Sequence, residues 1–114
     1  MKKELHIGLC KGRHEIKTNK GEVVDRFIFE GEVPFHFGYL VNEATNQLDS
    51  KRIEHLGEDY ILRIHLYITG FTPALTSTLK AFRDVYYKNY TAELVLMHYD
   101  KEDGSYVRQE WRRV

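Results

Sequence analysis

Apolar and polar side chains alternate most regularly between Leu62 and Ile68. Leu62, Ile64, Leu66 and Ile68 enclose Arg63, His65 and Tyr67, the period of two that gives a strand one apolar face. The run stops at Thr69-Gly70. Thr72 is placed to cap a helix, and Pro73 at its first position costs the helix no donor. Leu75, Leu79, Phe82 and Tyr86 follow at helical spacing, with Ala74, Thr78, Ala81 and Val85 beside them, so the helix presents one buried stripe and ends near Asn89. Glu93 to Tyr99 is a nearly continuous apolar run of the kind buried on both faces of a sheet. Strand, helix and strand in this order predict a right-handed parallel crossover with the two strands close together. Asp100 to Gly104 is a polar turn, and Ser105 to Trp111 returns as an antiparallel edge strand.

The first half is less regular. Leu5, Ile7 and Leu9 alternate with His6, Gly8 and Cys10 as a short strand, in which Gly8 signals a bulge or a close approach. Thr18-Asn19-Lys20-Gly21 is a turn signal, with Gly21 free to take a positive φ. A hairpin is the natural reading, its returning arm Glu22 to Phe29. Pro34 ends that arm. Phe35 to Asn46 fits an aromatic loop, an edge strand or a helical turn. Ser50 is placed to cap a short helix with Ile53 and Leu56 on its apolar side and Gly57 beyond its end. The expectation is a single α/β domain over residues 1–114, with a mixed sheet, one right-handed Rossmann-like β-α-β unit and antiparallel hairpins.

Composition narrows the function classes. Lys plus Arg and Asp plus Glu number 17 each, so no general field draws the chain to duplex nucleic acid, and a charged ligand must be held locally. The one cysteine, Cys10, excludes an internal disulfide and a cysteine-rich zinc site and suits a reducing cytoplasm. No apolar run reaches the roughly 20 residues of a membrane span, and MKKELHIG lacks the apolar core of a signal peptide. Eight Tyr, six Phe and one Trp imply either an aromatic core or rings at a self-association surface.

Candidate chemistry gathers where the central strand meets its helix. Thr69, Gly70, Phe71 and Thr72 bring hydroxyls and unpaired amides to the positive end of a helix dipole, where open α/β sheets bind anions. Plain helix capping accounts for the same residues equally well. His98 and Asp100, two apart near the end of the next strand, form an acid and base pair compatible with a divalent metal or phosphodiester cleavage. The competing reading makes His98 a hydrogen-bonded strand residue and Asp100 a turn starter. Lys11, Arg13 and His14 follow the first strand and supply positive charge for a phosphate. His6, His36, His55 and His65 show no metal-ligand spacing and read as structural.

The string Ile68-Thr-Gly-Phe-Thr-Pro-Ala-Leu75 resembles the turn of CRISPR-associated Rossmann-fold (CARF) sensor domains. Gly70, Pro73, Ala74-Leu75, Tyr99-Asp100 and Gly104, over roughly the last 50 residues, are similar in arrangement to small CRISPR-associated ring nucleases. The resemblance implies binding of a cyclic oligonucleotide across a homodimer by Thr69, Gly70 and Thr72. It implies cleavage through Asp100 and, in some members, a metal. Phe71 stands where the turn has a second glycine, Pro73 where sensors often carry lysine, and Gln109 and Trp111 where a histidine is wanted, so binding is implied more strongly than cleavage. The expected protein is a cytoplasmic homo-oligomer in a bacterial, archaeal or phage-infected cell, holding a nucleotide-like signal of defence signalling and touching neither duplex nucleic acid nor membrane. The contrasting expectation is a phage or mobile-element inhibitor of a host defence complex, acting by protein contact through its aromatic surface.

Overall fold

A computed structural model describes residues 1–88 and 90–114; Asn89, the expected helix stop, lies outside them. The described elements are β1 (Lys2–Cys10), β2 (Ile16–Lys17), β3 (Val23–Val24), β4 (Phe27–Phe29), α1 (Phe37–Glu54), β5 (Ile61–Tyr67), α2 (Thr72–Val85), β6 (Ala92–Asp100) and β7 (Ser105–Arg112). The main sheet has the order β4-β1-β5-β6-β7. β4, β1, β5 and β6 are parallel, and β7 returns antiparallel on β6. The expected α/β domain with a mixed sheet is what forms.

Strand alternation sorts the sheet into two unlike faces. Ile7, Leu9, Leu62, Ile64, Leu66, Leu94 and Leu96 face Leu40, Ala44 and Leu48 of α1 and Ala74, Ala81 and Phe82 of α2 in one apolar core. The opposite face carries Tyr67, Val95 and Met97 under Ile16, Val24 and Phe27. Direction explains the division. The connections through α1 and α2 move one way along the sheet, whereas β1 to β4 moves the other way, and right-handed crossovers of opposite direction lie on opposite faces. The β2-β3 hairpin therefore covers part of the face the helices leave open.

Two expectations about the first half are corrected. The arm from Glu22 to Phe29 does not return along β1. Val23 and Val24 pair with Lys17 and Ile16 around the Thr18 to Gly21 turn, where Gly21 has φ 84°. Phe27 to Phe29 then runs parallel to β1, with Gly8 opposite Phe27 and Cys10 opposite Phe29. All three residues are buried, as parallel strands usually are. The second correction is α1, one helix of 18 residues where the sequence left a loop, an edge strand or a helical turn open ahead of a short helix. Its buried stripe is Leu40, Ala44 and Leu48, too sparse to declare itself. His36 caps the helix through Nδ1, which accepts from the Tyr39 amide at 3.0 Å. Ser50 is inside the helix, and Ile53 and Leu56 are exposed.

The helix after the central strand begins one residue early. Thr72 is its first residue and Phe71 its N-cap, with no side-chain cap. Ala74, Ser77, Thr78, Ala81 and Phe82 are its buried line, whereas Leu75 and Leu79 are only partly buried. Small side chains in that line let α1 and α2 approach closely over the sheet.

Gly8 is a true close approach. A Cβ there would lie 2.5 Å from Cδ1 and Cε1 of the Phe27 ring, well inside van der Waals contact. Gly8→Ala should push Phe27 out of the hairpin cluster and destabilise the fold by about 1–3 kcal/mol, read as a lower urea midpoint with an unchanged slope. An unchanged midpoint would mean that Phe27 has room to move.

Candidate functional site

Thr69 ties the carboxyl ends of β1 and β5 together. Its Oγ1 accepts from the Cys10 amide at 3.0 Å and donates to the Cys10 carbonyl at 3.2 Å. Asn19, in the β2-β3 turn, fixes the hairpin to the far strand. Its Nδ2 donates to the Tyr106 carbonyl at 3.0 Å and its Oδ1 accepts from the Tyr106 amide at 2.9 Å. Between these ties, the loop after β1 and the β6-β7 turn enclose a cleft of about 830 Å³. Arg13, His14, Lys17, Thr69, Gly70, Tyr99 and Tyr106 line it. Its position at the carboxyl edge of parallel strands is where open α/β sheets place their ligands. A second hollow, about 640 Å³ between α1 and α2, offers Lys80 as its one cation and is otherwise lined by residues such as Phe37, Val41, Thr45 and Thr76. It has less to hold an anion.

The structure gathers some of the expected residues and separates others. Thr69, Gly70, Arg13 and His14 line one cleft. Lys11 is exposed outside that lining, its amide donating to the Phe29 carbonyl at 3.0 Å. Phe71 packs with the helix-side core, its ring 5.9 Å from that of Phe35. Thr72 is exposed in the first helical turn. The amides of Phe71, Ala74 and Leu75 are already bonded to the carbonyls of Thr69 and Phe71, which leaves the turn fewer donors than its sequence suggests.

His98 and Asp100 do not join His14. Leu96 faces the helices, and alternation carries His98 and Asp100 to the same side, so it is Tyr99 that lines the cleft. His98 Nε2 pairs with Gln109 Oε1 at 2.8 Å, and Asp100 Oδ1 accepts from the Glu102 amide at 3.0 Å as a turn starter. Cys10 lies on the cleft's lining, and burial pushes its thiol up, against a hydrogen bond with Thr69 that pulls the other way.

A polar group on the open half of the second face escaped the sequence reading. His6 of β1 stands directly across from His65 of β5. Their rings stack at 4.5 Å between centroids, 15° from parallel. Glu4 Oε1 lies 3.2 Å from His65 Nε2, and Tyr67 Oη 2.8 Å from His6 Nδ1. Burial lowers the His65 pKa, the nearby His6 adds to this, and Glu4 opposes it. The neighbouring Arg63, Glu93 and Glu110 form an ion network with Lys2. The alternation Glu4-x-His6 and Arg63-x-His65-x-Tyr67 put each set on one face, but only the pairing of β1 with β5 brings them together.

Compared with protein-family models, with curated proteins and with solved structures, the chain matches none. Among the described residues no helix is long and apolar enough to cross a membrane.

Proposed function

We propose that the cleft at the carboxyl edge of β1 and β5 binds a small anionic, nucleotide-like ligand, sequestering it as a signal within a homo-oligomer. The observation that carries this is the meeting, in one cleft of about 830 Å³, of the Thr69-Gly70 turn with Arg13 and His14, beside Lys17 and its ion-pair partner Glu15 at 3.6 Å. Phosphate oxygens suit the cations. A base suits the faces of Tyr99 and Tyr106, whose rings already contact one another at 5.3 Å between centroids. A cleft of this volume accommodates a dinucleotide-sized ligand, and the cyclic oligonucleotides of prokaryotic defence are the class to which the resemblance points. The proposal is binding, since His98 and Asp100 stand outside the cleft.

Gly70→Val tests it. A Cβ at Gly70 meets no heavy atom within 4 Å, so the variant should fold with an unchanged melting temperature. It should lose at least about tenfold, or 1.4 kcal/mol, in affinity for whichever linear or cyclic oligoadenylate co-purifies with the wild type by mass spectrometry. Unchanged affinity would move the ligand to another place. One surface favours a second reading, the protein-contact inhibitor. Phe35, Phe37 and Tyr39 are 72%, 54% and 45% exposed, and the Phe35 ring packs edge-on against those of Phe37 and Phe71. Exposed aromatics in one patch suit docking on another protein. A wild-type chain that carries no nucleotide and binds none of those offered would give this reading precedence.

A further inference from the structure

Glu4, His6 and His65 place one carboxylate oxygen and two imidazole nitrogens within 4.8 Å of one another. This is the donor set that first-row divalent metals select, two imidazoles and one carboxylate. A tetrahedral ion with bonds of about 2.1 Å spaces its donors about 3.4 Å apart, and Glu4 Oε1 is already 3.2 Å from His65 Nε2. The stacked rings carry their lone pairs in nearly parallel planes, so ligation requires His6, which is half-buried, to turn out of the stack about its bond to Tyr67 and the exposed Glu4 side chain to swing in. The surroundings fit ligation as well. A ligating histidine ordinarily has its second ring nitrogen held by an oxygen, which sets its tautomer and orientation. Tyr67 Oη does this for His6 Nδ1 at 2.8 Å, leaving Nε2 as the donor.

Without a bound group the histidine pair is costly. His65 is 4% exposed, and its Nδ1 has no hydrogen-bond partner among the described residues. Two stacked imidazoles, one of them buried and incompletely bonded, are a costly way to fill a sheet face that an apolar pair would fill without penalty. Binding an ion gives the arrangement a use. Glu4 and His6 leave the group open to solvent on the side away from the helices, so an ion has a path in and coordination positions left for water or substrate. Neither histidine nor Glu4 lines the cleft.

We infer that Glu4, His6 and His65 form a site for a divalent transition metal on the open half of the sheet, with Tyr67 orienting His6. The site is separate from the ligand cleft and does not depend on it. The test uses the full chain, stripped with chelator and titrated with Co²⁺ for its visible absorption and with Zn²⁺ by calorimetry. Expected are one equivalent of either ion per chain, a rise of several degrees in melting temperature with Zn²⁺, and a loss of at least about tenfold in affinity in Glu4→Ala and in His6→Gln. Both positions are partly or fully exposed, so both variants should fold. Gly70→Val should keep the metal unchanged, which separates this outcome from that of the cleft. No stoichiometric binding by the wild type, or binding retained in both variants, overturns the site. So does affinity that falls only in His36→Gln, His55→Gln or His98→Gln.

Discussion

Replacing Arg63 by methionine should cost about 3 kcal/mol of stability, the lower end of what removing one partner of a buried ion pair costs. In a domain of this size that is a fall on the order of 10–20 °C in melting temperature. Arg63 extends from β5 to two carboxylates at once. One nitrogen lies 2.7 Å from Glu93 Oε1, and the other donates to Glu110 on the edge strand. Glu93 is completely buried. Without the guanidinium its partners among the described residues are Lys2, at 2.9 Å, and the amide of Val114, at 2.9 Å. The cost is that of an undercompensated buried charge, not of a lost contact. Replacing Arg63, Glu93 and Glu110 together by apolar residues of similar volume should therefore cost less than the single change. Urea unfolding of the two variants decides it, and a single variant less than 1 kcal/mol below wild type would mean that Lys2 suffices.

The same carboxylate makes the fold sensitive to acid. Burial by itself would raise the Glu93 pKa, but the Val114 amide, Lys2 and Arg63 outweigh it and hold the group at about 2, against the usual 4.5. The unfolded chain thus takes up a proton near pH 4.5 that the folded chain refuses until about pH 2. Stability from this group is complete above about pH 4.5 and falls away between there and pH 2, by about 3 kcal/mol in all. The urea midpoint should be flat for this group near neutrality and drop steeply below pH 4.5. Glu93→Gln should start less stable and lose much less across that window. A wild type as stable at pH 3 as at pH 6 would contradict the assignment.

What could be read from the sequence was what neighbours along the chain decide. The alternation from Leu62 to Ile68, the stripe through Phe82, the apolar run to Tyr99 and the Gly104 turn give the second half of the sheet nearly as it stands. Gly21 was legible because it answers a local constraint, a positive φ, whereas Gly8 was legible only as a bulge or a close approach, since the ring it makes room for, Phe27, lies on another strand. α1 was not, because only Leu40, Ala44 and Leu48 are buried along 18 residues, and the aromatic residues before it obscure the period. β4 was misdirected for a related reason. A turn signal at Gly21 predicts that the chain reverses, but not that it breaks at Asp25-Arg26 and pairs the other way.

The site divided along the same line. Thr69 and Gly70 could be placed at the carboxyl edge from the sequence, whereas Arg13 and His14 reach it only because β1 lies beside β5. His98 and Asp100 were read as sharing one face near the end of their strand, but alternation alone did not say which face, and the structure gives the cleft Tyr99 instead. The group of Glu4, His6 and His65 spans 61 positions of sequence between its strands. No spacing rule reaches across such a gap, since the register of β1 on β5 exists only once both are in the sheet.

The irregularity between Leu94 and Val95 has a consequence for how the edge of the sheet is kept in place. Val95 stands opposite Glu110, but Leu94 stands opposite Arg112, so Trp111 is the extra residue of a bulge and the chain changes sides there. Glu110 meets Arg63 on one face, while Arg112 turns to the other, donates to the Tyr86 carbonyl at 2.5 Å and lies over the Phe82 ring. A largely exposed, polar edge strand is where a sheet most easily slips in register. Here a slip of one residue in either direction would unfasten β7 from both faces together. The bulge works as a key cut on two sides, admitting a single alignment of a strand whose own side chains would tolerate several.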